Sequence, residues 1–156
     1  RLVLDYLSPA RGDAILELYC GSGNFSLFLA RQGARVTGIE SNSAAVREAR
    51  ANAALNGISA CRFVQANVNR LDAAILKEKY HGVLLNPPRT GCPRELLARI
   101  ASAQPGVIVY VSCNPATLSR DLRELVDLGY AIREIQPVDM FPQTYHLEAV
   151  VKLSKI

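Results

Sequence analysis

The sequence predicts one α/β domain with a seven-stranded, mostly parallel sheet and helices on both faces. Short apolar or β-branched runs alternate with amphipathic segments of helical length. Five such alternations imply parallel strands joined by right-handed crossovers. The last two strand candidates have no helix between them, which predicts a hairpin with one antiparallel edge strand. The predicted strands cover residues 14–18, 35–39, 61–65, 82–85, 107–111, 131–137 and 147–153.

The predicted helices rest on apolar periodicity and on capping residues. Residues 43–56 carry an apolar face and are followed by Gly57, which suits the position after a helix end. Residues 93–101 open with a proline at a predicted first helical position. Asn114 is a predicted N-cap, with proline next to it and a helix running to about Leu128.

Length and composition narrow the class of protein. The 156 residues suit a single domain over residues 1–156, and no apolar stretch is long enough to cross a membrane. Because the chain starts with Arg1 and not with Met, we expect a C-terminal fragment of a longer protein. The net charge of +4 and the pI near 9.0 suit an anionic partner such as RNA, although the basic residues form no run.

The cysteines predict neither a metal site nor disulfides. They are scattered, without C-x-x-C spacing and without nearby histidines. Isolated cysteines in a chain large enough to form its own core indicate reduced thiols and a cytoplasmic location. The four are Cys20, Cys61, Cys92 and Cys113.

A glycine-rich turn follows the first predicted strand. Gly21 and Gly23 let the backbone approach a ligand, and the next helix offers free N–H groups. The dinucleotide pattern G-x-G-x-x-G is incomplete because Ser26 holds its third glycine position, so a cofactor without a pyrophosphate fits better. Glu40 ends the second strand, where a carboxylate can bind ribose hydroxyls. These features favour S-adenosylmethionine over a plain turn and a solvated strand end.

Two asparagines extend this predicted cofactor site. Asn67 follows the third strand and is placed to contact the adenine edge, and Asn86 ends the fourth strand. Carboxyl ends of neighbouring parallel strands meet at one rim of a sheet, where ligands bind.

Cys113 is the candidate nucleophile. It lies where the fifth strand ends and a capped helix begins, and helix N–H groups stabilise a thiolate there. The alternative role, a small buried hydrophobe, fits Cys61 better because Cys61 begins a strand. Cys20 and Cys92 lie in turns without a comparable context.

Four sequence blocks carry a resemblance to a known family. They are L-Y-C-G-x-G-N-F-S at 18–26, P-P-R-x-G at 87–91, Y-V-S-C-N-P-x-T-L at 110–118 and F-P-Q-T-x-H-x-E at 141–148. In this order and spacing, the chain resembles the catalytic domain of RNA 5-methyluridine methyltransferases, which act on ribosomal and transfer RNA. The resemblance implies a class I S-adenosylmethionine-dependent methyltransferase fold (Rossmann-like).

The resemblance also implies roles for single residues. Cys113 matches the nucleophile that adds to carbon 6 of uracil, and Glu148 matches the base that removes the carbon 5 proton. Arg89 is a candidate for binding phosphate or the uracil carbonyls, with a surface role as the alternative. The same two roles are open for Arg120, for which the neighbouring acid Asp121 is a competing partner. His146 is expected to be structural. The positions that match cofactor contacts are Tyr19, Gly21, Gly23, Asn24, Glu40, Asn67 and Asn86.

The chain departs from the family pattern at Asn86, where members commonly carry Asp. The change replaces a negative charge with two donors and puts cofactor affinity in question. The resemblance also implies an upstream RNA-binding region, which we expect to lie outside this chain.

Two other functions stay open from the sequence. The first is an amino-group methyltransferase, because Asn86 with the two following prolines resembles an N-P-P-aromatic motif; Arg89 lacks its stacking ring. The second is a non-catalytic methyltransferase-like module that binds RNA.

Overall fold

A single seven-stranded sheet organises the computed structural model, which describes residues 1–139 and 147–156. The strands are β1 Ala14–Leu18, β2 Arg35–Glu40, β3 Cys61–Gln65, β4 Gly82–Leu85, β5 Val107–Ser112, β6 Tyr130–Val138 and β7 Glu148–Lys155. Their order is β3-β2-β1-β4-β5-β7-β6. Strands β1 to β5 are parallel, and β7 runs antiparallel to both of its neighbours. The predicted fold class is confirmed.

The hairpin lies at the sheet edge as predicted, but its reversed strand is the inner member. β7 lies between β5 and β6, so β6 is the edge strand. The physical reason lies in composition, since β7 buries Val150, Val151 and Leu153 while most of β6 is exposed. An apolar strand gains from burial on both faces, and a polar one suits the edge.

The helices follow most of the predicted pattern. They are α1 Leu2–Leu7, α2 Asn24–Arg31, α3 Ser43–Leu55, α4 Ala73–Leu76, α5 Arg94–Ser102 and α6 Pro115–Asp127, with a 3-10 turn at Val68–Arg70. α6 begins as predicted, because the Asn114 side chain accepts the N–H of Ala116. The prediction for α5 is wrong by one residue: Pro93 has an extended ψ of 146° and caps the helix from outside. Among the described residues no helix could span a membrane.

Two helical layers bury opposite faces of the sheet. Along β5, Ile108 and Tyr110 pack with residues of α5 and α6, whereas Val109 and Val111 pack with residues of α1 and α2. This alternation is the two-residue period of a strand buried on both sides. Because side chains alternate between the two faces along a strand, the position of a residue in its strand decides on which face its side chain lies. Val150 of β7 lies on the α1/α2 face.

Candidate active site

Six of the predicted site residues follow one another along one rim of the sheet. The parallel strands end at this rim, and the reversed strand β7 begins there. Ligands of open α/β sheets bind at this rim. In order across the sheet, the rim carries Asn67, Glu40, Tyr19, Asn86, Cys113 and Glu148.

The chain turns sharply after β1 through left-handed backbone conformations. The φ angles are 63° at Tyr19, 52° at Gly21 and 84° at Gly23. Such an angle is unfavourable for a tyrosine, so the surrounding contacts hold it. A Cβ atom on Gly23 would lie 2.8 Å from the Phe63 ring, whereas one on Gly21 would meet nothing within 4 Å. Gly23 is therefore required by packing, and Gly21 leaves open space for a ligand.

The Glu40 carboxylate holds this turn against the end of β2. One oxygen accepts the N–H of Gly21 at 3.1 Å, and the other accepts the N–H of Asn42 at 2.8 Å and the Ser41 hydroxyl at 3.1 Å. A carboxylate has about four acceptor positions, and the Ser41 hydroxyl is free to rotate away. Glu40 therefore keeps acceptor capacity for a ribose hydroxyl.

Asn67 caps the 3-10 turn beyond β3. Its side-chain oxygen accepts the N–H of Asn69 at 3.0 Å, so its amide NH2 is left to meet a ligand. The Tyr19 hydroxyl donates to the Asn69 side chain at 3.1 Å. Burial raises the pKa of Tyr19, which keeps this hydroxyl a donor. Asn24 is exposed at the first position of α2.

A buried carboxylate under the glycine-rich turn was missed by the sequence analysis. Glu17 is 1% exposed, and the Ser26 hydroxyl donates to one of its oxygens. The other oxygen has no partner among the described residues. Burial raises the pKa of Glu17 to about 7. The contact gives Ser26 a role at the position of the third glycine of the dinucleotide pattern. The sequence feature that could have indicated Glu17 was an acidic residue inside an apolar strand.

The loop after β4 is tied to the start of α6. The Arg89 carbonyl accepts from the Asn114 side-chain amide at 3.0 Å and from the Thr117 hydroxyl at 3.1 Å. Asn114 directly follows Cys113, so this pair of bonds joins the two predicted substrate-facing segments. At the start of the loop, the Asn86 N–H donates to the carbonyl of Leu18 at 3.3 Å.

A second buried carboxylate, Asp121, supports the same loop. It is 1% exposed and accepts from the Cys92 N–H at 2.7 Å, the Tyr110 hydroxyl at 2.5 Å and the Arg120 guanidinium at 2.8 Å. Arg120 also donates to the carbonyl of Thr90 at 3.0 Å. Arg120 is therefore engaged by its neighbouring acid, the competing partner that the sequence left open.

Three of the four cysteines have environments that disfavour a thiolate. Burial raises the pKa to about 12 for Cys20 and Cys92 and to about 11 for Cys61. A raised pKa reduces the thiolate fraction, and the thiolate is the nucleophile. Cys113 is half-buried between β5 and the capped start of α6. All four thiols are free.

The β5–β7 ladder ends beside Cys113 and Glu148, the predicted nucleophile and base. The last pair of the ladder is Ser112 with Ala149. Cys113 follows Ser112 in a bend just outside β5, and Glu148 precedes Ala149 as the first residue of β7. Residues directly opposite each other in antiparallel strands share a face. Glu148 is two residues before Val150 and therefore lies on the α1/α2 face. The predicted nucleophile and base thus each lie one residue beyond the last pair of the ladder, on neighbouring strands.

Two surface clefts lie on opposite faces of the sheet. One, of about 330 Å³, lies between α1 and α2 on the face of Glu148 and is lined by Asn24, Phe25 and Phe28. The larger groove, of about 620 Å³, lies between α6 and the β6–β7 hairpin, and Leu147 and Ala149 line it. None of the predicted cofactor residues, all of which are described, lines the larger groove. We therefore associate chemistry with the rim and not with that groove.

Comparison with known proteins identifies the family. A sequence model of the tRNA (uracil-5-)-methyltransferase family matches residues 2–156. The chain belongs to this family. This chain can therefore be compared with other proteins of the tRNA (uracil-5-)-methyltransferase family.

The chain is similar to both rRNA and tRNA methyltransferases. It is 44% identical over 152 residues to the 23S rRNA (uracil(1939)-C(5))-methyltransferase RlmD of Pseudomonas aeruginosa, covering 96% of this chain and 34% of that protein. It is 39% identical to the solved tRNA (uracil-54, C5)-methyltransferase of Pyrococcus abyssi in complex with S-adenosyl-L-homocysteine, with a TM-score of 0.85 and coverage of 97% and 37%.

A more distant structure shows only the shared fold. The magnesium protoporphyrin IX methyltransferase of Synechocystis PCC 6803, solved with bound SAM, is 18% identical with a TM-score of 0.79, covering 99% of this chain and 77% of that one. The chain spans about one third of the length of the curated relatives it matches.

One block of the tRNA (uracil-5-)-methyltransferase family pattern lies largely outside the described residues. Of F-P-Q-T-x-H-x-E at 141–148, the structure describes only Leu147 and Glu148. The expectation for His146 therefore lies outside the described residues.

Proposed function

We propose that this chain is the catalytic domain of an enzyme that methylates carbon 5 of uridine in ribosomal or transfer RNA, through a covalent bond to Cys113. The observation that supports the proposal is the β5–β7 register, whose last pair lies one residue from both Cys113 and Glu148 at the rim that holds the glycine-rich turn. Family membership supports the reaction class. The reduced thiols fit a cytoplasmic location, which we include in the proposal.

The residues around the glycine-rich turn fit S-adenosylmethionine. The open space over Gly21 and the free acceptor capacity of Glu40 suit an adenosine ribose, and the Asn67 amide suits the adenine edge. Glu40, whose carboxylate accepts the Gly21 N–H, places negative charge beside the turn. That charge suits a sulfonium cation better than a pyrophosphate. When bound, S-adenosylmethionine supplies the methyl group as an electrophile.

Cys113 and Glu148 divide the remaining chemistry between them. Carbon 5 of uracil is too weak a nucleophile unaided. The Cys113 thiolate forms a bond to carbon 6, which moves electron density to carbon 5. After carbon 5 is methylated, Glu148 removes its proton, the carbon 5–carbon 6 double bond re-forms and the thiolate leaves. The nucleophile is regenerated, and one proton is released overall.

Two further residues complete the proposed site. Asn86, between the turn and Cys113 on the rim, faces the cofactor from β4, and Arg89 contacts phosphate or the uracil carbonyls from the loop. Because the relatives are about three times longer than this chain, we propose that the choice of RNA involves regions outside it.

A fluorinated substrate tests the mechanism. Fluorine at carbon 5 cannot leave as a proton, so RNA containing 5-fluorouridine should remain attached to the protein after methyl transfer. Mass spectrometry should detect protein plus RNA plus one methyl group, with the bond mapped to Cys113. Cys113→Ala should form no adduct, while Cys61→Ala, which changes another half-buried cysteine, should form it normally.

The experiment uses this chain with unmodified ribosomal and transfer RNA transcripts, and it is repeated with any longer natural protein that includes the chain. An adduct that maps to another cysteine, or methylation that survives the loss of Cys113, would overturn the mechanism. RNA binding without any methylation would favour the non-catalytic module.

A further inference from the structure

One face of α6 is directed at the rim loop, which we define as residues 88–92. Asn114, Thr117 and Asp121 recur at helical spacing, so they lie on the same side of the helix start. Asn114 and Thr117 both donate to the carbonyl of Arg89 in the rim loop. One turn further on, Asp121 accepts the N–H of Cys92 at the other end of the loop. The helix that follows Cys113 therefore holds both ends of the rim loop.

Asp121 is the buried centre of these contacts. Its Oδ2 atom accepts from the Cys92 N–H at 2.7 Å and from the Tyr110 hydroxyl at 2.5 Å. Its Oδ1 atom accepts from Arg120 at 2.8 Å, and Arg120 donates in turn to the carbonyls of Thr90 and Cys92. Tyr110 lies on β5, three positions before Cys113. The carboxylate thus ties the rim loop to the strand and to the helix that flank the nucleophile.

Gly91 shows how closely the loop is fitted to this carboxylate. A Cβ atom at Gly91 would lie 2.5 Å from Oδ2 of Asp121, and φ at Gly91 is 73°. A side chain there would collide with the carboxylate and strain the backbone. The glycine of the P-P-R-x-G block is therefore explained by its approach to Asp121.

We propose that Asp121 is a positioning residue for the methyl-transfer site, an inference that rests on the proposed function. It acts through the rim loop, by fixing Arg89 relative to Cys113. It touches neither RNA nor cofactor in this proposal. Displacements of about 1 Å at a reacting centre can cost on the order of 100-fold in rate. Loss of the carboxylate should therefore lower kcat while the rest of the domain stays folded.

Asp121→Asn tests this without changing the size of the side chain. The control is Asp127→Asn, an exposed acid at the end of the same helix. The first measurement is the rate at which iodoacetamide labels each buried cysteine, read by peptide mass spectrometry. Cys92 is 3% exposed and bonded to Asp121, whereas Cys20 is 6% exposed and belongs to a different cluster of the core. Cys92 labelling should rise at least about 10-fold in Asp121→Asn, with Cys20 unchanged.

The second measurement is steady-state methylation by the protein that forms the 5-fluorouridine adduct. Asp121→Asn should lower kcat by about 10- to 100-fold and leave KM for S-adenosylmethionine within about twofold of the unaltered protein. Asp127→Asn should match the unaltered protein in both. A purely structural role would raise Cys20 and Cys92 labelling together, and that result would overturn the proposal.

An unchanged kcat in Asp121→Asn would overturn it as well. Failure of the proposed function is a separate outcome, because the unaltered protein would then form no adduct with 5-fluorouridine RNA. In that case the labelling rates still decide whether Asp121 holds the rim loop. Equal labelling of Cys92 in Asp121→Asn and Asp127→Asn would show that it does not.

Discussion

Glu40 accepts the backbone N–H of Gly21 at 3.1 Å, across 19 residues of chain. The same carboxylate that we propose to bind the ribose therefore also shapes the turn that we propose to hold the cofactor. In this proposal Glu40 both binds the ribose and holds the turn in its binding shape before the cofactor arrives.

We predict that Glu40→Gln and Glu40→Ala both weaken S-adenosylmethionine binding. Each loses charge-assisted contacts, worth about 1.5–3 kcal/mol or roughly 10- to 150-fold in affinity. Glu40→Ala should be the weaker binder because it also releases the Gly21 N–H. Isothermal titration calorimetry measures both, with the exposed Glu48→Gln as the control. Equal affinity in all three variants would refute the ribose assignment.

Asn86→Asp should improve cofactor binding or turnover, because it restores the charge that family members commonly carry at this rim position. Asn86 is half-buried, so an added carboxylate would interact strongly with a nearby cation. Titration and single-turnover methylation of both forms measure the effect, and thermal melting checks that the fold is kept. A variant that binds no tighter and reacts no faster would show that Asn86 serves this chain as well as Asp does.

Glu17 should make the folded state less stable as pH rises. Its pKa is raised from an ordinary 4.5 to about 7 by burial, so between these values the folded protein holds a proton that the unfolded chain has lost. The free energy of unfolding therefore falls across this window, by up to about 3 kcal/mol. Urea titrations from pH 4.5 to pH 8 measure the slope.

Glu17→Gln should flatten that dependence and stabilise the protein above pH 7, because no charge has to be buried. Ser26→Ala is the matched variant: it removes the hydrogen bond that lowers the pKa of Glu17, so the dependence should extend to higher pH. A slope that is the same in the unaltered protein and in Glu17→Gln would assign it to other groups.

Glu148→Gln should accumulate a covalent adduct on ordinary uridine. The amide cannot remove the carbon 5 proton, whereas addition of Cys113 and methylation can proceed. Denaturing gel electrophoresis with labelled RNA detects the adduct. Glu134→Gln, on the adjacent edge strand β6, is the control and should turn over normally. Normal turnover by Glu148→Gln would remove Glu148 from the mechanism.

The sequence predicted the strands closely because buried parallel strands are short apolar runs with turns on either side. It also predicted the Asn114 cap, which depends only on neighbouring residues. It did not predict Asp121 as a support of the rim loop, since that role depends on Cys92, 29 residues away. Glu17 was missed for the same reason: its partner Ser26 belongs to another element. Contacts between distant segments need the tertiary structure.

The pairing of β5 with β7 has a consequence for insertions and deletions. Neighbouring residues on a strand lie on opposite faces of the sheet. A one-residue slip of β7 would therefore move Glu148 to the α5/α6 face and would also move every apolar residue of β7 to the opposite face. Val150, Val151 and Leu153 oppose such a slip, because each would leave its present cluster of the core. The order of apolar residues along β7 thus determines on which side of the sheet the proposed base, Glu148, lies. A single residue inserted between Glu148 and Val150 would therefore move the carboxylate to the other face of the sheet while the apolar residues of β7 keep their places in the core.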